Sequence, residues 1–215
     1  MPLMRPIFAL LLTTAPFWAE DAANLDPHAP AQPGAVALYL QAMSLYGLGQ
    51  QAKDPLIVLT AARLLRGLSL TDTARTPDPA SPAIPLTAPN PRTMLNRASG
   101  LDAGQNYPDL IDSVATEIPT QPKALRATAA SLAAGASQTW ALSFFGGTYA
   151  ELAILGTGTG NLDLLVSDDQ GHAICVDKGS ADTALCGFTL RDNGDVTVTV
   201  TNAGTDFDSY MLLTN

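Results

Sequence analysis

The sequence predicts an α+β protein: an antiparallel β-sandwich, jelly-roll-like and built of about eight short strands, preceded by a small helical region. Three observations predict it. From Leu125 onward apolar and polar residues alternate with a period of two, in short runs separated by Gly-, Asn- and Asp-containing turns. Between Gly34 and Ile118 the apolar residues instead recur at three- and four-residue steps, the helical period. A proline-rich stretch separates the first helices from the later ones and admits neither period. The chain therefore divides into a signal segment 1–19, a lead-in 20–33, a helical region 34–122 with a proline-rich loop at 76–91, and a sandwich 123–215.

The first nineteen residues read as a secretory signal. Arg5 is their one charge, an apolar run extends from Ile7 to Leu12, and Ala19 offers a small residue at the cut before Glu20, although Phe17 is bulky for its place. The run is too short for a bilayer, which needs about 20 apolar residues, and no later segment is long and apolar enough to anchor the chain. Export to the periplasm or the medium is the expectation. Residues 20–33, rich in Ala and Pro without apolar period, read as a flexible lead-in.

Gly34 to Gln51 carries Val36, Tyr39, Leu40, Met43 and Tyr46 on one helical stripe. Asp54-Pro55 then reads as an N-cap followed by a proline at the first helical position, where its missing N–H costs nothing. Ile57, Leu64, Leu65 and Leu68 give this second helix its apolar face, and Gly67 marks its end. Across 76–91 the prolines Pro77, Pro79, Pro82, Pro85, Pro89 and Pro91 remove backbone donors and hold the chain extended, as a linker. Asn90-Pro91 opens a third helix, through Ala98 and stopped by Gly100; Pro108 to Ile118 reads as a fourth, ended by Pro119.

Strands follow. Leu125 to Leu132 is the first; Trp140, Leu142 and Phe144 line one face of the next, and Gly146-Gly147 turns the chain into Tyr149 to Leu155. Leu162, Leu164 and Val166, then Ile174 and Val176, Phe188 and Leu190, and Val196, Val198 and Val200 continue the alternation, and Tyr210 to Thr214 closes it. One small core is what such a segment can bury.

Charge and cysteines narrow the functional classes. The net charge is −9, and from Leu125 onward only Arg126, Lys178 and Arg191 stand against Glu151 and nine Asp residues. Such a surface repels nucleic acid and anionic lipid. Cys175 and Cys186 flank a polar loop without CxxC spacing; in an exported protein that pair reads as a disulfide, stabilising by roughly 2–3 kcal/mol through loop closure.

The run from Gly158 through Asn161-Leu162-Asp163-Leu164-Leu165-Val166-Ser167-Asp168-Asp169-Gln170-Gly171 to Cys175 resembles the bacterial pre-peptidase C-terminal domain family: a Gly-rich turn, an Asp-Leu-Asp-Leu-like strand and an Asp-x-x-Gly turn. Asn193-Gly194-Asp195 with the strand after it, and Ser209 to Asn215, resemble that family's closing strands. The resemblance covers about residues 125–215, with Asn161 standing where the family often has its first Asp. It implies a secreted, non-catalytic accessory module of the kind attached to extracellular proteases.

Catalytic signatures are scarce. His28 and His172 are the only histidines, and neither a GxSxG elbow nor an HExxH pair occurs. The Gly156–Gly160 loop precedes a strand rather than a helix and lacks Lys, so it is a turn and not a phosphate cradle. Carboxylates are the one constellation left: Asp163, Asp168, Asp169, Asp177 and Asp182, with Glu151, lie near strand ends, and Ca²⁺, which takes six to eight oxygens, is the one cofactor they would suit. Trp140, Phe145 and Tyr149 are the candidate binding aromatics. The expected function is a non-enzymatic exported binding module for a protein, peptide or polysaccharide; the alternative is a Ca²⁺-dependent accessory module or minor hydrolase.

Overall fold

The computed structural model describes residues 23–29, 33–82, 84–85, 88–157 and 160–215, so the signal segment 1–19 lies outside the described residues. Among the described residues four helices and nine strands follow one another: α1 (Ala35–Ala52), α2 (Pro55–Arg66), β1 (Leu68–Asp72), α3 (Pro91–Leu101), α4 (Pro108–Thr116), β2 (Lys123–Leu132), β3 (Ser137–Phe144), β4 (Tyr149–Gly156), β5 (Leu162–Asp168), β6 (Ala173–Asp177), β7 (Thr183–Thr189), β8 (Gly194–Asn202) and β9 (Asp208–Thr214). The strands form an α+β sandwich of a five-stranded sheet, β1-β2-β9-β4-β7, over a four-stranded sheet, β3-β8-β5-β6. No described helix is long and apolar enough to cross a membrane.

Local signals set the helix starts. The Asp54 carboxylate accepts the N–H groups of Leu56 and Ile57 at 2.8 and 3.2 Å, as the Asp-Pro signal requires. Asn90 and Thr93 form a reciprocal capping box on α3. That helix runs past Gly100 to Leu101, because Leu101 still packs on the helical core and the next residue, Asp102, takes the N–H groups of Asn106 and Tyr107. Gly49 lets α1 and α2 close on each other: a Cβ there would stand 2.7 Å from Val58 Cγ2.

Two cores share the five-stranded sheet. Between the sheets, Leu152, Ile154 and Leu212 meet Leu164, Val166, Val198 and Trp140. On the sheet's other face, Leu125, Ala127, Ala153 and Leu213 pack against Val36, Tyr39, Val58 and Met94 of the helices. The alternation read from the sequence holds on both faces, and the result is three layers: helices, sheet, sheet.

Four features depart from expectation. First, β1 was not anticipated; it pairs in parallel with β2, Leu68 opposite Lys123 and Asp72 opposite Ala127. Second, the proline-rich loop does more than link, since Asp78 exchanges two backbone hydrogen bonds of 2.8 Å with Thr139 and covers the β3 edge of the second sheet. Third, the lead-in, expected to be loose, is docked at residues 24–26: Leu25 bridges Leu190, and the N–H of Asp26 donates to Thr189. Fourth, Trp140 is core and not a binding aromatic. It is 2% exposed, meets Tyr210 edge-on, and donates its indole N–H to the Tyr210 hydroxyl, which donates in turn to Gln138.

Glu151 ties the layers together. It is 1% exposed on the helix-facing side of β4, and its carboxylate accepts the N–H groups of Gly34 at 2.6 Å, Val36 at 2.9 Å and Ala37 at 3.1 Å. The N-cap of α1 is Gly34, which has no side chain to do this. Replacing Glu151 with Ala leaves three donors at a buried helix start without an acceptor, and is expected to cost about 3 kcal/mol in urea unfolding. Gly34→Ala is expected to destabilise as well, because its Cβ would stand 2.4 Å from the Glu151 carboxylate. Stabilities within about 0.5 kcal/mol of wild type for both would refute this role.

Candidate binding surface

Of the three aromatics singled out, two come together. Phe144 points inward and meets Phe188 edge-on at 5.2 Å; Phe145, next in the chain, therefore points out and is 76% exposed. Its turn is fixed: Gly146 N–H donates to the Asn193 side chain and Gly147 N–H to the Leu190 carbonyl, both at 2.8 Å. Gly147 adopts φ 68, which favours glycine. Tyr149 opens β4 half-buried, its ring lying over Gly187 of the neighbouring strand, where a Cβ would meet the hydroxyl at 2.1 Å. Burial, and then the charge of Glu151, push its phenol above the ordinary value.

A cavity of about 400 Å³ opens beside them at the end of the sandwich, lined by Phe145, Tyr149, Leu142, Thr214, Arg75 and Arg126. The two arginines were not singled out from the sequence. Arg126 sits opposite Thr214 in the β2–β9 register, and Arg75 reaches in from the segment after β1 to donate to the Thr214 hydroxyl at 2.8 Å. Burial, and then the charge of Arg126, lower the Arg75 pKa. On the other side of Tyr149 a wider cleft of about 760 Å³ is lined by Asp26, His28, Lys123 and Asn215.

The carboxylates are dispersed. Among the described residues no three His, Cys, Asp or Glu side chains converge on one point. Asp163 lies on the outer face of β5 opposite Thr201, Asp169 is exposed in the following turn, Asp177 accepts the N–H of Gly179, and Asp182 accepts the Thr183 hydroxyl. Glu151 is the helix cap already described. Asp168 is 3% exposed and organises its own turn, accepting the N–H groups of Asn24, Gln170 and His172 at 2.8–3.0 Å. The His172 ring nitrogen Nδ1 stands 3.2 Å from the same carboxylate. Asp208, which the sequence reading passed over, is buried with one oxygen, Oδ2, lacking a hydrogen-bond partner, and Asn161 Oδ1 is likewise buried and unpartnered.

Cys175 on β6 and Cys186 on β7 belong to edge strands of different sheets. They stand as two free thiols hydrogen-bonded to each other, a contact that lowers the pKa of Cys175 and, with burial, raises that of Cys186.

No family model and no curated protein matches this chain. Among solved structures, the pre-peptidase C-terminal domain of a collagenase from Bacillus anthracis is 12% identical, with a TM-score of 0.34 over 41% of this chain and 87% of that one. A periplasmic inhibitor of g-type lysozyme from Aeromonas hydrophila is 14% identical, with a TM-score of 0.32 over 42% and 84%. A carbohydrate-binding module solved with calcium and xylotriose is 13% identical, with a TM-score of 0.26 over 40% and 76%.

Asp168 carries a pH prediction. Burial pushes its carboxyl up, but the N–H groups of Asn24, His172 and Gln170 and the His172 ring outweigh that and hold it below the ordinary value. A depressed native pKa gives stability that is present above the unfolded value, about 3.9, and is lost as pH falls through the native one. Asp168→Asn is therefore expected to be less stable at neutral pH and to lose less than wild type below about pH 4 in acid-unfolding curves. Parallel curves for the two proteins would show that the turn does not depend on this charge.

Proposed function

We propose that this chain is an exported, non-enzymatic binding module that takes a protein, peptide or polysaccharide ligand at the end of the sandwich around Phe145 and Tyr149. The observation that carries this reading is Phe145, 76% exposed on a turn hydrogen-bonded at both glycines and placed at the rim of a cavity. A large aromatic held on a rigid turn contributes contact area without much ordering entropy on binding. The immobilised exported chain is expected to retain a species from periplasmic extract, culture medium or cell-wall polysaccharide that Phe145→Ala loses. Phe207→Ala, which removes another exposed aromatic, is the control and is expected to keep it. Equal retention by the Phe145 variant and wild type would overturn the reading.

A calcium-dependent module is the second reading, and what favours it is Asp208 with its unpartnered oxygen rather than the five carboxylates expected from the sequence. Export also implies that Cys175 and Cys186 close into a disulfide. One set of melting curves tests both. Reductant is expected to lower the unfolding temperature, by the equivalent of roughly 2–3 kcal/mol, in wild type and not in Cys175→Ser. Curves with Ca²⁺ and with chelator separate in wild type but not in Asp208→Asn if the cation binds there, and superimpose in both if it does not.

A further inference from the structure

We propose that the cavity between Arg75 and Arg126 binds the carboxylate of a peptide, with the apolar side chain beside that carboxylate lying against Phe145. This rests on the reading of the sandwich end as the binding surface and names the chemistry it selects.

The chain has 20 acidic and 11 basic residues, yet two of the basic ones share one cavity whose lining includes no Asp or Glu. Among the described residues neither guanidinium has an Asp or Glu carboxylate within ion-pairing distance; the ion pairs there are Arg63–Glu117 and His172–Asp168. Glu151, nearby on β4, has both oxygens engaged by the start of α1. Arg75 uses Nη2 on Thr214, while its Nη1 is buried without an acceptor. A half-buried cation with an empty donor, set against a like charge, is unfavourable alone and favourable around an anion. The lowered pKa of Arg75 reports the same stress. The planar fork of a guanidinium matches a carboxylate with two parallel N–H···O bonds.

The rest of the cavity selects among carboxylates. Three of its polar groups are engaged, Thr214 by Arg75, Ser143 by Asp195, and the Asn215 side chain by the Glu151 N–H and the Tyr149 carbonyl, while Thr148 and Tyr149 also line it. A polyuronate would meet the field of a chain with net charge −9. A single carboxylate next to an apolar side chain meets what remains, namely Leu142, Phe144 and Phe145. Capture of a chain end by convergent donors is an established mode of peptide recognition.

The test uses the full exported chain and three probes followed by NMR titration at low ionic strength: N-acetylphenylalanine, its amide, and glucuronate. The acid is expected to saturate and to shift the amide signals of Phe145, Thr148 and Tyr149. The amide and glucuronate are each expected to bind at least about tenfold more weakly, and Arg126→Gln to weaken the acid by about tenfold, a difference of about 1.4 kcal/mol. Arg126→Lys, which keeps the charge without the fork, is expected to fall between. Equal binding of acid and amide, tighter binding of glucuronate, or no saturation by wild type would each overturn the proposal. The failures separate cleanly. If Phe145→Ala loses the retained species while Arg75→Gln/Arg126→Gln keeps it, the surface stands and the carboxylate falls; if both keep it, the surface falls as well.

Discussion

The carboxylate of Glu151 meets three backbone N–H groups at the start of α1, inside the wall between helices and sheet. A helix that begins buried presents unpaired donors and the positive end of its dipole, and Gly34 offers neither an acceptor nor a charge. The sheet supplies both. Much else follows from that contact along the chain. With α1 fixed on β4, the close approach at Gly49 fixes α2, and α2 hands the chain to β1 beside β2. Three residues beyond β1 stands Arg75, delivered to the mouth of the sandwich. Tyr149 precedes Glu151 by two positions on the same strand face, and the Asn215 side chain accepts the Glu151 N–H. One buried carboxylate thus ties the start of α1 to β4, the strand that opens beside the candidate surface.

The sandwich was legible because its signal is local. Period-two alternation is imposed by the pleat itself, and it is clear where one face is buried and the other is not, as in β5 and β8, and weaker in β4, which is buried on both faces. Caps were legible for the same reason: Asp54 and Asn90 act on residues two or three positions away. What stayed hidden depends on partners distant in the chain. Glu151 and Gly34 are 117 positions apart, and no periodicity announces such a cap. β1 has only two leucines and follows a helix directly, so its pairing with β2 has no sequence mark. Trp140 illustrates a different limit. Alternation grouped it with Leu142 and Phe144, but a period says which residues share a face and not which face meets the core.

The candidate site shows the same division. Phe145 and Tyr149 were visible as aromatics bracketing a glycine turn, and that turn holds them near one cavity. The arginines were invisible as a pair, since Arg75 follows the helical hairpin and Arg126 belongs to the sandwich; only the β1–β2 pairing brings them together. The acidic residues misled in the opposite sense. Their closeness in sequence suggested convergence, but alternating strands send neighbours to opposite faces, and turn carboxylates satisfy their own main chain, as Asp168 and Asp177 do.

Sheet edges and sheet ends present different surfaces. Unpaired edge strands invite adventitious pairing, and a covering segment removes that invitation. Asp78 of the proline-rich loop does this for β3, while β1, β6 and β7 are the other outermost strands of the two sheets. At the end of the sandwich a gap opens beside Leu142 and Thr214, lined also by Arg75, Arg126 and Phe145. A ligand held there is recognised by side-chain charge and shape. A side-chain site of this kind can change specificity through two or three substitutions while the Glu151 contact and both cores are left untouched.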